Sequence, residues 1–204
     1  MTTQSVVWIV AAVVVGYFIG SINPASIIAK VRGIDLSNSG SGNPGATNAA
    51  RVMGRKTGIL VLVIDVLKGL VPVLAFSALG TPALGGLAGF AAIVGHMTSP
   101  FLKGKGGKGV ATTIGVLLGA EPLWLIPVLV VFAIVFLIGR RTGIASVAAS
   151  LALIVTALVD HDDAEMTIFG VLVGLLVIIR HQRNIRAAWV DWRHPQSVSA
   201  EAPD

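Results

Sequence analysis

The chain has 204 residues with a net charge of +5, and 54% of them are hydrophobic while only 12% are charged. A typical soluble domain is about 25% charged, and a folded chain of ~150–200 residues leaves roughly 30% of its surface exposed, so a mean hydropathy of +0.86 excludes an ordinary soluble enzyme. The absence of cysteine excludes disulfides, thiol nucleophiles and thiolate metal sites.

Apolar stretches follow one another along the chain, at residues 5–29, 58–79, 83–101, 110–120, 122–139, 143–159 and 166–180. A spanning helix needs about 20 apolar residues, so we predict an all-α integral membrane protein with seven transmembrane helices. The segment 110–139 also fits one long helix, although Glu121-Pro122 interrupts it. The first stretch does not resemble a cleaved signal peptide, because no Lys or Arg precedes it.

The basic residues favour seven spans over six. Of the 15 Lys and Arg, 14 fall in four clusters, at residues 30–56, 103–108, 140–141 and 180–193. Seven spans place all four clusters on one side of the membrane, and the positive-inside rule makes that side cytoplasmic. We therefore predict an outside N-terminus and a cytoplasmic C-terminus, with one membrane domain over residues 1–194 and a polar, disordered tail over 195–204.

The fifteenth basic residue, Lys68, lies inside the second apolar stretch, three positions after Asp65. Residues three apart on a helix face each other, and a charge inside a membrane is usually paired and functional. We expect a self-neutralising pair at a helix interface, with a direct substrate contact as the alternative.

Most polar residues lie in three loops, and the first contains the sequence GSGNPGATNAAR over residues 40–51. Gly, Asn and Ser favour tight turns, and successive backbone N–H groups in such turns form anion-binding nests. Arg51 adds a guanidinium group that suits phosphate. The alternative is a glycine-rich connector whose arginines lie at the membrane surface.

The second loop has the sequence FLKGKGGKGVATT over residues 101–113. Three lysines among glycines at the start of a helix are typical of a phosphate site. The spacing of Gly104 and Gly109 matches a Walker A loop, but Val110 follows where that motif requires lysine and then Ser or Thr. A polybasic segment that contacts lipid headgroups is the alternative.

The third loop has the sequence RHQRNIR over residues 180–186. If the last helix continues through it, His181 and Asn184 share a face; the alternative is a histidine that interacts only with the helix dipole. The remaining histidines make no metal-ligand spacing with His181, so no metal site is expected. Ser146, by position alone, is a helix-packing serine.

Together these loops resemble the bacterial membrane glycerol-3-phosphate acyltransferases that use acyl phosphate, the PlsY family. The resemblance covers residues 5–190 and rests on GSGNPGATN with Arg51, on Gly95-His96 followed by KGGKGVAT, and on His181-x-x-Asn184-Ile185. It implies acyl transfer from acyl phosphate to sn-glycerol 3-phosphate, the first acylation step of bacterial phospholipid synthesis. It also implies a multi-pass protein of the cytoplasmic (inner) membrane with a cytoplasmic active site, no cofactor, and a soluble enzyme that supplies the acyl phosphate.

The resemblance also implies roles for individual residues. Glycerol phosphate would be held by Arg51, Lys108, Asn184 and Ser146, and His181 would orient the acceptor. The acyl-phosphate head or the oxyanion would be held by Ser41, Thr47 and Asn48, with the adjacent backbone that includes Gly42 and Asn43. The lysine-rich motif adds Lys103, Lys105, Gly106 and Gly107. The catalytic group is Ser41, Lys108, His181 and Asn184, and the general base is either His181 or a substrate phosphate oxygen.

Other functions fit the sequence less well. Acyltransferases that use acyl-CoA carry His-x4-Asp, but Asp is absent five positions after every histidine, where the chain has Phe101, Met166, Arg186 and Ser199. A transporter of a phosphorylated solute, the main alternative, should show inverted repeats and polar residues in mid-membrane, where only Asp65 and Lys68 qualify. A structural or lipid-binding membrane protein does not explain three convergent polar loops. The basic charge follows from those loops, so no nucleic-acid partner is expected.

Overall fold

The computed structural model describes residues 2–160 and 163–193, which form ten α-helices and no strand. The helices are α1 (Thr3–Ser21), α2 (Pro24–Val31), α3 (Ala46–Met53), α4 (Arg55–Leu79), α5 (Pro82–Thr98), α6 (Val110–Ala120), α7 (Leu125–Gly139), α8 (Thr142–Val159), α9 (Ala164–Arg180) and α10 (Gln182–Arg193). The predicted tail over 195–204 lies outside the described residues.

Each predicted apolar stretch forms helix, so the all-helical fold class is confirmed. Residues 110–139 form two helices, α6 and α7, because Pro122 starts a short 3-10 turn between them. By length and composition four segments of the described chain can cross a membrane, namely α1 with α2, α4, Pro122–Gly139 and α8, and the bent pair α9 and α10 is a fifth. Since α5 has 17 residues and α6 has 11, seven spans remain a prediction.

The first apolar stretch is broken at Ile22, where one continuous helix was expected. Pro24 starts α2, and Asn23 caps it by accepting a 2.8 Å hydrogen bond from the Ser26 N–H. The carbonyl of Ile22 accepts a 2.7 Å hydrogen bond from Lys68 Nζ. A carbonyl freed inside an apolar bundle needs such a partner, because no water is available there.

The expected pair between Asp65 and Lys68 is present, with Lys68 Nζ 2.7 Å from Asp65 Oδ1. Both side chains are buried, with residue exposures of 1% and 6%. Lys68 is therefore engaged by the Asp65 carboxylate and by the broken end of α1, which accounts for its charge without a substrate.

Small residues let the helices approach closely. An added Cβ at Gly16 or Gly20 of α1 would overlap the backbone of Ala88 or Ala92 in α5, and one at Gly115 of α6 would overlap the carbonyl of Val66 in α4. Such contacts are typical of helix pairs in membranes. They fix α1, α4, α5 and α6 as one packed group.

A second group consists of α7, α8 and α9, which pack side by side in chain order. One apolar core joins the two groups, with Ile93 and Leu117 on one side and Leu153 and Val173 on the other. The groups separate between α6 and the pair α7 and α8, and this separation produces the cavity described below.

Candidate active site

The three polar loops meet at one end of the bundle. Lys108 Nζ, from the second loop, donates a 2.5 Å hydrogen bond to Oδ1 of Asn184, which follows the last apolar helix. Lys108 also lines a cavity together with Asn43 and Thr47 of the first loop and Ser146 of α8. The structure thus brings residues from all three predicted motifs to one place.

The cavity has a volume of about 300 Å³ and changes character with depth. Its mouth is formed by Asn43, Thr47, Lys108 and Ser146, which carry amide, hydroxyl and ammonium groups. Its wall along the helices is mostly apolar, with Ile114, Leu117, Val128, Leu129, Phe132 and Leu153. The cavity therefore suits a ligand with an anionic head and a hydrocarbon tail.

Asn48 organises the first loop from a buried position, with an exposure of 1%. Its Oδ1 accepts a 2.8 Å hydrogen bond from the Ser41 N–H, and its Nδ2 donates to the Ser39 carbonyl at 3.0 Å. Gly42 has φ +68°, a conformation that favours glycine. Both amide groups of Asn48 are engaged within the loop, so Asn48 shapes the segment that presents Ser41.

Two helix N-termini point at the cavity mouth. Helix α3 begins after Gly45 and α6 begins after Gly109, and both glycines line the cavity. Within the described ranges, no side chain caps either helix start. Because the N-terminal N–H groups and the helix dipole both favour negative charge, the mouth offers two backbone anion sites beside Lys108.

The glycine turn before Lys108 is held rigidly by its neighbours. The N–H groups of Gly106 and Gly107 donate to the carbonyls of Met97 and His96, at 3.1 and 3.0 Å. Arg180 Nη2 donates to the carbonyls of Gly106 and Gly107 at 2.7 and 3.0 Å, and its Nε donates to Gly107 at 3.2 Å. The polar backbone groups of both glycines are therefore used to hold the turn.

Arg180 was not predicted as a site residue, and its one sequence signal was its place next to His181. Arg180 positions Lys108 by hydrogen-bonding to the glycine turn that precedes it. Lys103 and Lys105, which were predicted to bind substrate, are exposed and lie outside the cavity lining.

Among the described residues, Lys108 forms no ion pair with a carboxylate. Its hydrogen-bond acceptor is the neutral amide of Asn184. Partial burial lowers the pKa of Lys108, and the nearby Arg180 and Arg183 guanidinium groups lower it further. A bound anion would offset both effects, which favours an anionic ligand at this ammonium group.

The third motif does not continue the last helix, which was the condition for His181 and Asn184 to share a helix face. Helix α9 ends at Arg180, and α10 leaves it at an angle of 57°. His181 and Asn184 nevertheless stay together, because the Asn184 N–H donates to the His181 carbonyl at 2.8 Å. The bend places Asn184 at the start of α10, where it meets Lys108.

His181 is buried, with an exposure of 2%, and does not line the cavity. Its Nδ1 lies 2.7 Å from the Val177 carbonyl; since a carbonyl only accepts, Nδ1 carries the proton and Nε2 is the acceptor in the neutral ring. Burial lowers the pKa of His181, which favours that neutral ring at pH 7.

The remaining predicted residues lie near the mouth in different ways. Ser146 Oγ donates to the Thr142 carbonyl at 2.8 Å, and its lone pairs stay available to a ligand hydroxyl. Arg51 is exposed and lies one turn after Thr47 on α3, so both share a face. Ser41 is exposed and lies outside the cavity lining.

Four polar residues outside the predicted set of site residues also line the cavity: Asp65, His96, Thr113 and Ser150. His96 Nδ1 lies 3.6 Å from Asp65 Oδ1, and the hydroxyl of Thr113 has no hydrogen-bond partner in the described part of the chain. These groups add polar character behind Lys108.

Comparison with known proteins gives one consistent result. A family model described as glycerol-3-phosphate acyltransferase matches residues 10–190. A protein of that name from Geotalea daltonii is 40% identical over 186 residues, which covers 90% of this chain and 93% of that protein. Another of that name, from Aquifex aeolicus, is 38% identical and covers 85% of this chain and 91% of its own length.

Two solved structures share the fold. The crystal structure of PlsY (YgiH), described as an integral membrane glycerol 3-phosphate acyltransferase in its glycerol 3-phosphate form, has a TM-score of 0.85 and 35% identity. The lysophosphatidic acid form has a TM-score of 0.82 and 34% identity. Each match covers 89% of this chain and 92% of the chain in the solved structure. The described chain therefore has the architecture of a multi-pass membrane protein.

Proposed function

We infer the reaction from the family to which this chain belongs, because it is a member of the glycerol-3-phosphate acyltransferases. It transfers a fatty acyl group to a hydroxyl of sn-glycerol 3-phosphate and forms lysophosphatidic acid. The one observation that carries this conclusion within the structure is the cavity itself, whose cationic mouth opens into an apolar interior. Both the acceptor and the product carry a phosphate, and the product carries a hydrocarbon chain.

We propose that the acyl donor is acyl phosphate rather than acyl-CoA. The mouth offers Lys108 and two uncapped helix starts, which are matched to compact phosphate groups. The nearby first loop adds Ser41 and Thr47 hydroxyls. A soluble enzyme would deliver the acyl phosphate from the cytoplasm, since the mouth lies among the basic loops.

The proposed membrane arrangement has seven spans, with the N-terminus outside and the C-terminus in the cytoplasm. Its support is the distribution of 14 of the 15 Lys and Arg residues in loops that this arrangement places on one side. The site then faces the cytoplasm from the inner membrane, where a water-soluble acceptor reaches it directly.

In the proposed complex, the glycerol phosphate lies against Lys108 and Asn184, with Arg51 and Ser146 at its edges. The acyl-phosphate head lies against the first loop and the start of α3, near Ser41, Gly42, Asn43 and Thr47. This arrangement brings two anions together, and the cationic groups and helix dipoles offset their repulsion.

The chemical step is direct transfer. The acceptor hydroxyl oxygen attacks the acyl carbonyl carbon, the carbon–oxygen bond to phosphate breaks, and inorganic phosphate leaves. The hydroxyl proton passes to a phosphate oxygen of the substrate, which is favoured over His181 because that ring lies behind the cavity wall. His181 then acts by holding Val177 and Asn184 in place.

The test is phosphate release by the purified protein given palmitoyl phosphate, with and without glycerol 3-phosphate, beside a palmitoyl-CoA control. We expect release that depends on glycerol 3-phosphate and is matched by lysophosphatidic acid. Turnover with palmitoyl-CoA alone would overturn the proposed donor. Movement of glycerol 3-phosphate into proteoliposomes without turnover would instead support a transporter.

A further inference from the structure

Helix α10 presents an apolar face that no other part of the described chain covers. Besides Val190, which is 55% exposed, three large apolar side chains of the helix are exposed: Ile185 at 39%, Trp189 at 53% and Trp192 at 72%. They are spaced by four and three positions, so they lie on one face of the helix.

The charges of α10 complement this face. The helix contains three arginines and one aspartate, and Asp191 is already paired with Arg141 at 2.7 Å. The guanidinium of Arg193 lies over the Trp189 ring, 4.6 Å from its centroid. A tryptophan face flanked by arginines is typical of helices that lie in the plane of a bilayer interface.

A neighbouring face attaches α10 to the helix bundle. Asn184 packs against Gly143 at the start of α8, where an added Cβ would overlap its amide. Ile144 and Val147 of α8 line an open groove beside Ile185 and Trp189. The tryptophan face therefore continues the apolar outer surface of α8, which a multi-pass protein presents to lipid.

We propose that α10 is an interfacial helix that binds an anionic bilayer surface, with Ile185, Trp189 and Trp192 inserted at the acyl boundary and Arg186 and Arg193 on the headgroups. Asn184 lies in its first turn and binds Lys108. Binding of α10 to anionic lipid therefore keeps Asn184 in contact with Lys108. The rate of turnover then depends on the charge of the lipid. This second part rests on the proposed function.

Depth labelling tests the membrane contact without measuring activity. The chain has no cysteine, so Trp192→Cys and Ala187→Cys each accept a single nitroxide label, and Ala187 is exposed on the side of the helix away from the tryptophan face. In phosphatidylglycerol nanodiscs we expect the label at 192 to collide with oxygen and the label at 187 with a water-soluble nickel complex. Equal access of the nickel complex to both labels would overturn the proposal, as would dipolar broadening at 192 from a second copy.

A kinetic comparison tests the coupling. Trp189→Ser/Trp192→Ser and Arg186→Gln/Arg193→Gln are assayed in phosphatidylglycerol and phosphatidylcholine nanodiscs, with Arg55→Gln as an exposed arginine control on another helix. We expect both double variants to lose at least about fivefold in kcat/KM in the anionic discs, the effect of one surface arginine on anionic lipid, and little in phosphatidylcholine. Equal losses in both lipids would overturn the coupling. A wild-type protein without turnover in either lipid would refute the proposed function and leave the labelling result standing.

Discussion

Lys108 and Asn184 lie 76 positions apart in the chain and are joined by a 2.5 Å hydrogen bond at the mouth of the cavity. Lys108 precedes the start of α6 and Asn184 lies in the first turn of α10, so the contact closes the site between the two groups of helices. Its geometry depends on the bend at His181, which turns Asn184 toward the lysine.

We predict that Lys108 and Asn184 act as a unit. Lys108→Ala and Asn184→Ala should each lower kcat/KM by roughly 10²–10³-fold, as for a lost oxyanion donor. The double variant should lose much less than the product of the two, with a coupling free energy of roughly 0.5–3 kcal/mol, because residues in contact are not additive. Steady-state kinetics of the four proteins measures this coupling, and strictly additive losses would contradict it.

The pH dependence of acceptor binding should report Lys108. Burial lowers the pKa of Lys108 below its usual 10.5, so Lys108 loses its charge at a lower pH than an exposed lysine does as the pH rises. The KM for glycerol 3-phosphate should therefore increase on the alkaline side. In Lys108→Arg this increase in KM should occur at higher pH, because guanidinium stays charged. If the increase in KM stays at the same pH, a group other than Lys108 causes it.

Arg180 should be a positioning residue rather than a substrate ligand. Its planar guanidinium group donates to two glycine carbonyls at once, a geometry that lysine does not reproduce. Arg180→Lys should lower kcat/KM by about tenfold or more and should move the alkaline limb set by Lys108, whereas Arg140→Ala, an exposed arginine elsewhere, should do neither. Normal kinetics of Arg180→Lys would show that the glycine turn holds without it.

The apolar end of the cavity should set the preferred acyl length. Ser150 lies one turn beyond Ser146 on α8 and lines the cavity, so Ser150→Leu should shorten it by about one helical turn, or ~5 Å. Activity with palmitoyl phosphate should fall at least about tenfold relative to butanoyl phosphate. Rates measured with acyl phosphates of different acyl lengths test this prediction. An equal loss at every length would mean that the acyl chain does not occupy this part of the cavity.

The sequence was sufficient for the long apolar helices and for the convergence of the three motifs. Apolar runs and the proline at 122 predicted α6 and α7 with their observed separation, and the three motifs do meet. These signals are local, because hydrophobic length and proline act on the residues beside them.

What the sequence did not predict depends on contacts between distant residues. The hydrogen bonds from Lys68 to Ile22, from Lys108 to Asn184 and from Arg180 to the glycine turn each join residues tens of positions apart. Likewise, the residues next to Asn48 and Lys108 in the sequence do not indicate that the Asn48 amide hydrogen-bonds within its own loop while Lys108 lines the cavity. Motif membership therefore identified the neighbourhood but not which side chains face the ligand.

The hydrogen bond from Lys68 to Ile22 also bears on how the protein is made. Helix α1 leaves the ribosome 46 positions before its partner lysine, so its broken end has an unsatisfied carbonyl until α4 arrives. Since such a group is costly in lipid, the nascent first span should stay near water or the insertion machinery until the second long helix is delivered. We therefore expect α1 and α4 to enter the membrane as one unit.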